Sequence, residues 1–315
     1  MGAVYSNTLA RIRAGDLLTR EKYARLADAD YLSALRMLAD YGYGGGETGE
    51  DSDKVIVRET DELIRFIEED SADADAARAL LCRFSYSNAK VLYKSRFTDV
   101  GTDVVMYGVS EDLSGITSGD YSDLSETMRS ALEELDTRET PDPRVIDAAL
   151  TRARYKEALT SARRSGSRTL IRCLLSEIDF SNILSVFRAN ALKMSADLYE
   201  EMFIPGGSVA LGTLNECIGA EPSVIEEKFE RTPYFDAVAD VCEKGYGRLS
   251  AFETAADNYI YALTDAGAGS LDKFDGFLRY ILARLTEFKM VKLILTCIKN
   301  GARAEIAERM RYLDD

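Results

Sequence analysis

The sequence predicts an all-α protein made of three related helical bundles, and three observations carry that prediction. The first is Leu80 to Phe97, LLCRFSYSNAKVLYKSRF, where Leu80, Leu81, Phe84, Val91 and Leu92 keep the three-and-four spacing of one helix face. The second is that this segment recurs. In LLSEIDFSNILSVFRA, Leu174 to Ala189, Phe180 takes the place of Tyr86, and both copies run Leu-Leu, a bulky residue, then aromatic-Ser-Asn. Lys94 and Arg188 each follow their asparagine, Asn88 and Asn182, by six residues. A weaker third copy, LARLTEFKMVKLIL, has Phe288 as the aromatic and Met290 in place of Asn. Tyr86, Phe180 and Phe288 stand 94 and 108 residues apart, which is the spacing of whole bundles rather than of solenoid turns. The third observation is that the echo extends past one helix: Tyr155-x-x-Ala-Leu matches Tyr259-x-x-Ala-Leu263 on the arm before a copy. The predicted domains are therefore residues 1–105, 106–205 and 206–315, the last boundary falling at Pro205-Gly206-Gly207.

Taken in order, residues 2–18 predict a first helix carrying Arg11 and Arg13 near its end. Thr19 is the natural N-cap of the next, over 19–28, and the stripe Leu32, Leu35 and Leu38 predicts a third over 31–40. YGYGGGETGEDSD then breaks all periodicity and predicts a mobile loop. No Gly-Lys-Ser/Thr follows it, and Glu47, Glu50, Asp51 and Asp53 would repel an anion, so a phosphate cradle is not expected. Residues 54–70 and 74–97 predict a helical hairpin, and 98–120 an irregular connection or one short strand. Helices are expected over 121–136, 143–164 and 167–194, with a solvated basic turn at Arg163–Arg168. Short helices over 208–218, 222–230 and 234–244 precede long ones over 248–265 and 274–300, and a last helix near 302–313.

Composition bounds the function. The formal net charge is −15, which argues against nucleic acid and against adhesion to anionic lipid. The chain holds no histidine, which removes Ser-His and Cys-His pairs, histidine bases and histidine metal ligands together. Cys82, Cys173, Cys217, Cys242 and Cys297 form no Cys-x-x-Cys pair and read as buried free thiols. Asp28/Asp30, Asp73/Asp75 and Glu226/Glu227 lack the Asp-Asp-x-x-Asp spacing that an all-helical, magnesium-dependent synthase needs. No apolar run approaches the roughly 20 residues of a transmembrane helix. The N-terminal MGAVYSNTLARIRAGDLL lacks the order of a signal peptide and matches the myristoylation motif only loosely, so a cytoplasmic protein is expected. Asn88 and Asn182 share a helix face with Phe84 and Ile178, where a half-buried amide must find hydrogen-bond partners, and a structural role is expected ahead of ligand contact. Lys94 and Arg188 are expected to favour the carbonyl ends of their helices.

The residues also resemble a known family, the C subunit of archaeal and bacterial V-type (A-type) ATPases, counterpart of the eukaryotic d subunit. Tyr5, Ala10-Arg11-Ile12-Arg13-Ala14 and Leu17-Leu18 match its opening signature. Tyr86, Asn88, Lys90, Leu92 and Lys94 match its first long hairpin, with Ser85 in place of Asp. Asp179, Asn182, Ile183 and Arg188 match its second repeat. At the C-terminus Glu287 is kept and Lys292 stands for Arg, while Arg284, Leu285 and Met290 replace Lys, Glu and Asn. The resemblance implies an all-helical, pseudo-threefold funnel that does no chemistry and holds no cofactor. Its cavity would receive the central shaft, subunits D and F, and its base would sit on the membrane rotor ring, making it a peripheral cytoplasmic component. Arg11, Arg13, Tyr43, Asn88, Lys94, Asp179, Asn182, Arg188 and Glu287 are then expected to be structural members of the family motifs. The alternative left by composition is a general helical adaptor that binds another helical or coiled-coil partner in its concave surface.

Overall fold

A computed structural model describes residues 2–46, 51–98, 106–139, 141–265 and 274–310. Among these residues there are fifteen α-helices and no strand, so the all-α expectation holds. In chain order they are α1 (Ala3–Ala14), α2 (Arg20–Asp28), α3 (Tyr31–Asp40), α4 (Ser52–Asp70), α5 (Ala74–Lys94), α6 (Glu126–Asp136), α7 (Pro143–Ser165) and α8 (Arg168–Leu192). The short α9 (Ala196–Met202), α10 (Leu211–Glu216), α11 (Pro222–Phe229) and α12 (Phe235–Lys244) follow, then α13 (Leu249–Ala262), α14 (Asp275–Lys299) and α15 (Ala304–Arg309).

Side chains that satisfy free N–H groups start many of these helices. Thr19 accepts from the Lys22 N–H, Asp30 from Ser33, Asp142 from Arg144 and Ser167 from Leu170. Pro143 occupies the first turn of α7, where a missing N–H is harmless. Gly166, at φ 71°, lets α7 turn into α8.

The chain packs as two compact units, and they divide it unevenly. One holds α1–α4 together with α14 and α15; the other holds α5 from Arg78 onward through α13. In the first, α14 packs against α1, α2, α3, α4 and α15. In the second, α8 packs against α7 and α13, and α12 packs against α11 and α13.

Several expectations change. α4 lies in the first unit and most of α5 in the second, so residues 54–97 do not form a single-unit hairpin. α9 is not expected from the sequence, because its seven residues are too few for a periodic signal. α1 stops at Ala14, four residues early. The Gly-rich stretch is not plain loop in its first half: Tyr43–Gly46 is a turn, with Gly44 and Gly45 at φ 64° and 67°. Its residues 47–50 lie outside the described residues, as do 99–105 of the expected connection or strand. Residues 106–113 run without a strand.

Candidate functional site

α14 carries the weakest copy of the recurring segment, yet its Glu287 is only 2% exposed. Three donors make that burial tolerable. One carboxylate oxygen accepts the Leu18 N–H at 2.5 Å, and the other accepts the Tyr43 O–H at 2.6 Å and the Arg284 guanidinium. Arg284 also pairs with Glu59 of α4, and Glu59 accepts the Gly44 N–H at 2.6 Å. The left-handed glycine turn thus aims one backbone N–H at Glu59 while seating Tyr43 on α14. The Tyr43 ring meets Phe288 edge-on, centroids 6.5 Å apart, and the Arg284 guanidinium lies within 5 Å of both rings, at 4.8 Å and 4.7 Å. Burial, with the Glu287 charge behind it, holds the Tyr43 hydroxyl well above its ordinary range, so it stays a proton donor. Burial also raises the Glu59 carboxyl, against the pull of Arg284.

This network floors a cleft of about 360 Å³ within the first unit. Arg13, Lys22 and Arg284 share its lining with Asp16, Glu59 and Glu62. Lys22 lies over the Tyr41 ring at 4.9 Å and Arg13 over Phe66 at 4.3 Å. The carboxylates of Glu59 and Glu287 are engaged by N–H and O–H donors, so they act as ties between elements rather than as free bases. Among the described residues, no group of three or more His, Cys, Asp or Glu side chains is placed to hold a metal.

The second unit repeats the arrangement on α8. Asp179 directly precedes Phe180, as Glu287 precedes Phe288, and it is 0% exposed. It accepts the Ser208 N–H at 2.9 Å, the Val209 N–H at 3.0 Å and the Tyr234 O–H at 2.6 Å. The Tyr234 ring in turn packs on Phe180, centroids 4.9 Å apart. So in each unit two consecutive residues of a long helix grip one tyrosine, the carboxylate by its hydroxyl and the aromatic by its ring. The approach is close: a Cβ on Gly207 would stand 2.1 Å from Asp179 Oδ1. One turn on, Asn182 holds Ile204 by both backbone groups, accepting its N–H at 3.0 Å and donating to its carbonyl at 2.8 Å.

The copy on α5 inverts the polarity. Ser85 stands where the carboxylate would be, and a hydrogen bond joins it to Glu111, a carboxyl raised by burial. Tyr86 donates to Glu157 at 2.8 Å. Asn88 is buried at 2% exposure. Lys94 ends α5 and reaches both oxygens of Asp147 at 2.7 Å. Arg188 pairs with Glu253 at 2.9 Å on an exposed surface. Arg11 and Arg13 are both exposed, and Arg13 lays its guanidinium over the Phe66 ring. The sequence-predicted residues therefore fall at several places. Tyr43 and Glu287 meet in one network; Asp179 and Asn182 fasten one loop. Glu59, Arg284 and Glu111 escape the sequence reading. Arg284 carries a signal, since it stands in a matched motif, three residues before Glu287.

The family described as ATP synthase (C/AC39) subunit matches residues 6–309 of the chain. The C subunit of the V-type sodium ATPase of Enterococcus hirae is 20% identical over 334 residues, covering 98% of each chain. The C subunit of the A-type ATP synthase of Desulfurococcus sp. is 30% identical over 133 residues, which is 41% of this chain and 35% of that one. That of Pyrococcus furiosus is 31% identical over 144 residues, 41% of this chain and 36% of the relative.

Proposed function

This chain belongs to the ATP synthase (C/AC39) subunit family, and from that premise we propose that it is the rotor adaptor of a V/A-type rotary ATPase. It couples the central shaft, subunits D and F, to the membrane rotor ring, and so transmits torque for ion transport or ATP synthesis. It is a non-catalytic, peripheral component on the cytoplasmic side. Among the described residues no helix is long and apolar enough to cross a membrane. The funnel of three helical repeats, residues 1–105, 106–205 and 206–315, belongs to the same proposal.

The observation that carries this reading is the match of the family over residues 6–309, with the C subunit of a V-type ATPase aligned along 98% of both chains. The buried ties support it physically, because an adaptor under torque needs loops that do not slip on their helices, and charge-assisted hydrogen bonds supply that grip. Co-expression with the shaft subunits D and F of the same organism, followed by size exclusion and mass measurement, tests it. A one-to-one-to-one complex is expected. Separate elution at micromolar concentration and low salt overturns the shaft reading and favours a general helical adaptor.

A further inference from the structure

α1 is amphipathic in the reverse of the usual sense. Toward the interior of its unit it turns Ser6, Asn7 and Ala10, which are 1%, 3% and 1% exposed. Ser6 donates to the Asp70 carbonyl at 2.5 Å, and Asn7 Oδ1 accepts the Phe277 N–H at 2.8 Å. Gly276 allows that approach, since a Cβ there would stand 2.9 Å from Asn7 Oδ1. On the opposite side Val4, Tyr5 and Ile12 are 49%, 49% and 64% exposed. At 100° per residue, Arg11, Val4, Thr8, Ile12 and Tyr5 fall within one arc of about 120°. A surface helix ordinarily turns its large apolar residues inward. Here the inward face is made of small or polar residues, with Ser6 and Asn7 tied by hydrogen bonds, and the large apolar side chains are left to water.

The charge of this face says what covers it. α1 carries no acidic residue, and Arg11 gives this face a positive charge in a chain of net charge −15, while Arg13 lies outside the arc, over Phe66. Among the described residues no carboxylate pairs with Arg11. We propose that the outer face of α1 is a docking surface for a helix of another protein of the rotary complex, one that sets an Asp or Glu beside apolar residues at helical spacing. The inference rests on the rotor-adaptor reading. The partner's apolar ridge lies along Val4, Tyr5 and Ile12, and its carboxylate meets Arg11. A second copy of α1 offers Arg11 no acid. An anionic membrane surface calls for clusters of roughly four to eight basic residues, and α1 has two.

The test uses the full chain within the assembled complex. A benzophenone photo-crosslinker replaces Val4 or Ile12, with exposed Glu133 of α6 as the control position, and the products are mapped by mass spectrometry. In parallel, the Arg11→Glu/Ile12→Ser variant is assayed for retention in the complex, with its melting compared with wild type. Both crosslinker positions are expected to join one helix of one other protein of the complex, bearing an acidic residue near the join. Retention of the variant is expected to fall about tenfold with melting unchanged. Crosslinks to lipid only, to a second copy, or no more than at the control position would overturn the proposal, as would full retention of the variant. If the variant melts lower, the crosslinks decide, since they leave Arg11 in place. If the wild-type chain itself fails to join the complex, the rotor-adaptor reading falls, and this inference with it.

Discussion

Asp179 and Glu287 show what a buried charge is for in this protein. Each is nearly or wholly shielded from water and each is saturated by donors from a loop and a tyrosine. Removing one partner of such a set leaves the others unsatisfied, which costs about 1–3 kcal/mol per group. Ser85 is the instructive exception, because there the carboxylate arrives from Glu111 instead. Ser85→Asp therefore sets a buried carboxyl beside the half-buried one of Glu111 and is expected to lower stability by about 2 kcal/mol or more in urea denaturation. Adding Glu111→Gln to it should recover most of the loss, because the amide then donates to the new carboxylate. Lack of recovery would mean that the site rejects the extra volume rather than the extra charge. Glu59 gives a pH signature. Its native carboxyl is raised above its ordinary value of 4.5, so the native state holds that proton more firmly than the unfolded chain does. Its contribution to stability is then fully present below about 4.5 and lost as pH rises through the raised native value. Across that window the stability of wild type minus Glu59→Gln should fall with rising pH. A flat difference from pH 4.5 to neutrality would refute the assignment.

At the scale of elements, long periodic helices are legible in the sequence and their partners are not. α7 and α8 are expected nearly to the residue, because Pro143 opens one and Gly166 separates the two. α9 escapes notice although it seats Tyr199, whose hydroxyl donates to the Asn182 carbonyl at 3.3 Å. The Gly-rich turn shows the limit from the other side. Composition announces a break, but only the fold reveals that the left-handed Gly44 points its N–H at Glu59. Glu59 and Arg284 stand 225 residues apart, and periodicity marks which face of a helix is buried without saying what it meets. One helix end makes a direct prediction. α8 terminates on Lys193 at φ 53°, and the Met194 N–H closes the turn on the Ala189 carbonyl at 2.9 Å. That position usually belongs to glycine, and a side chain there is strained by about 1 kcal/mol. Lys193→Gly is expected to stabilise the protein by roughly that amount, read as a higher denaturation midpoint. A lower midpoint would mean that the lysine side chain contributes more than its backbone loses.

At the scale of the whole molecule, the telling feature is that the first unit is built from both ends of the chain. α14 supplies what the N-terminal helices lack: the Phe277 N–H for Asn7, the Glu287 carboxylate for Leu18 and Tyr43, and an apolar wall of Phe277 and Tyr280 against Phe66. α1 cannot hold its place by hydrophobic burial, since its inner residues are Ser6, Asn7 and Ala10. A helix of its 12 residues is marginal alone. A chain ending after Leu263 should therefore lose the structure of α1–α4, while the unit that runs from Arg78 of α5 through α13, with Asp179 and Asn182 tied to its own loop, stays folded. Hydrogen exchange read by mass spectrometry would show this as slow exchange kept in α7, α8 and α13 and lost from α1–α4. Protection retained in α1–α4 would show that these helices find sufficient packing among themselves, and that α14 is an addition to the unit rather than its foundation. The expected outcome has a consequence for assembly. Any partner that reads the outer face of α1 is reading a surface that exists only once α14 has been made and has closed onto α1–α4.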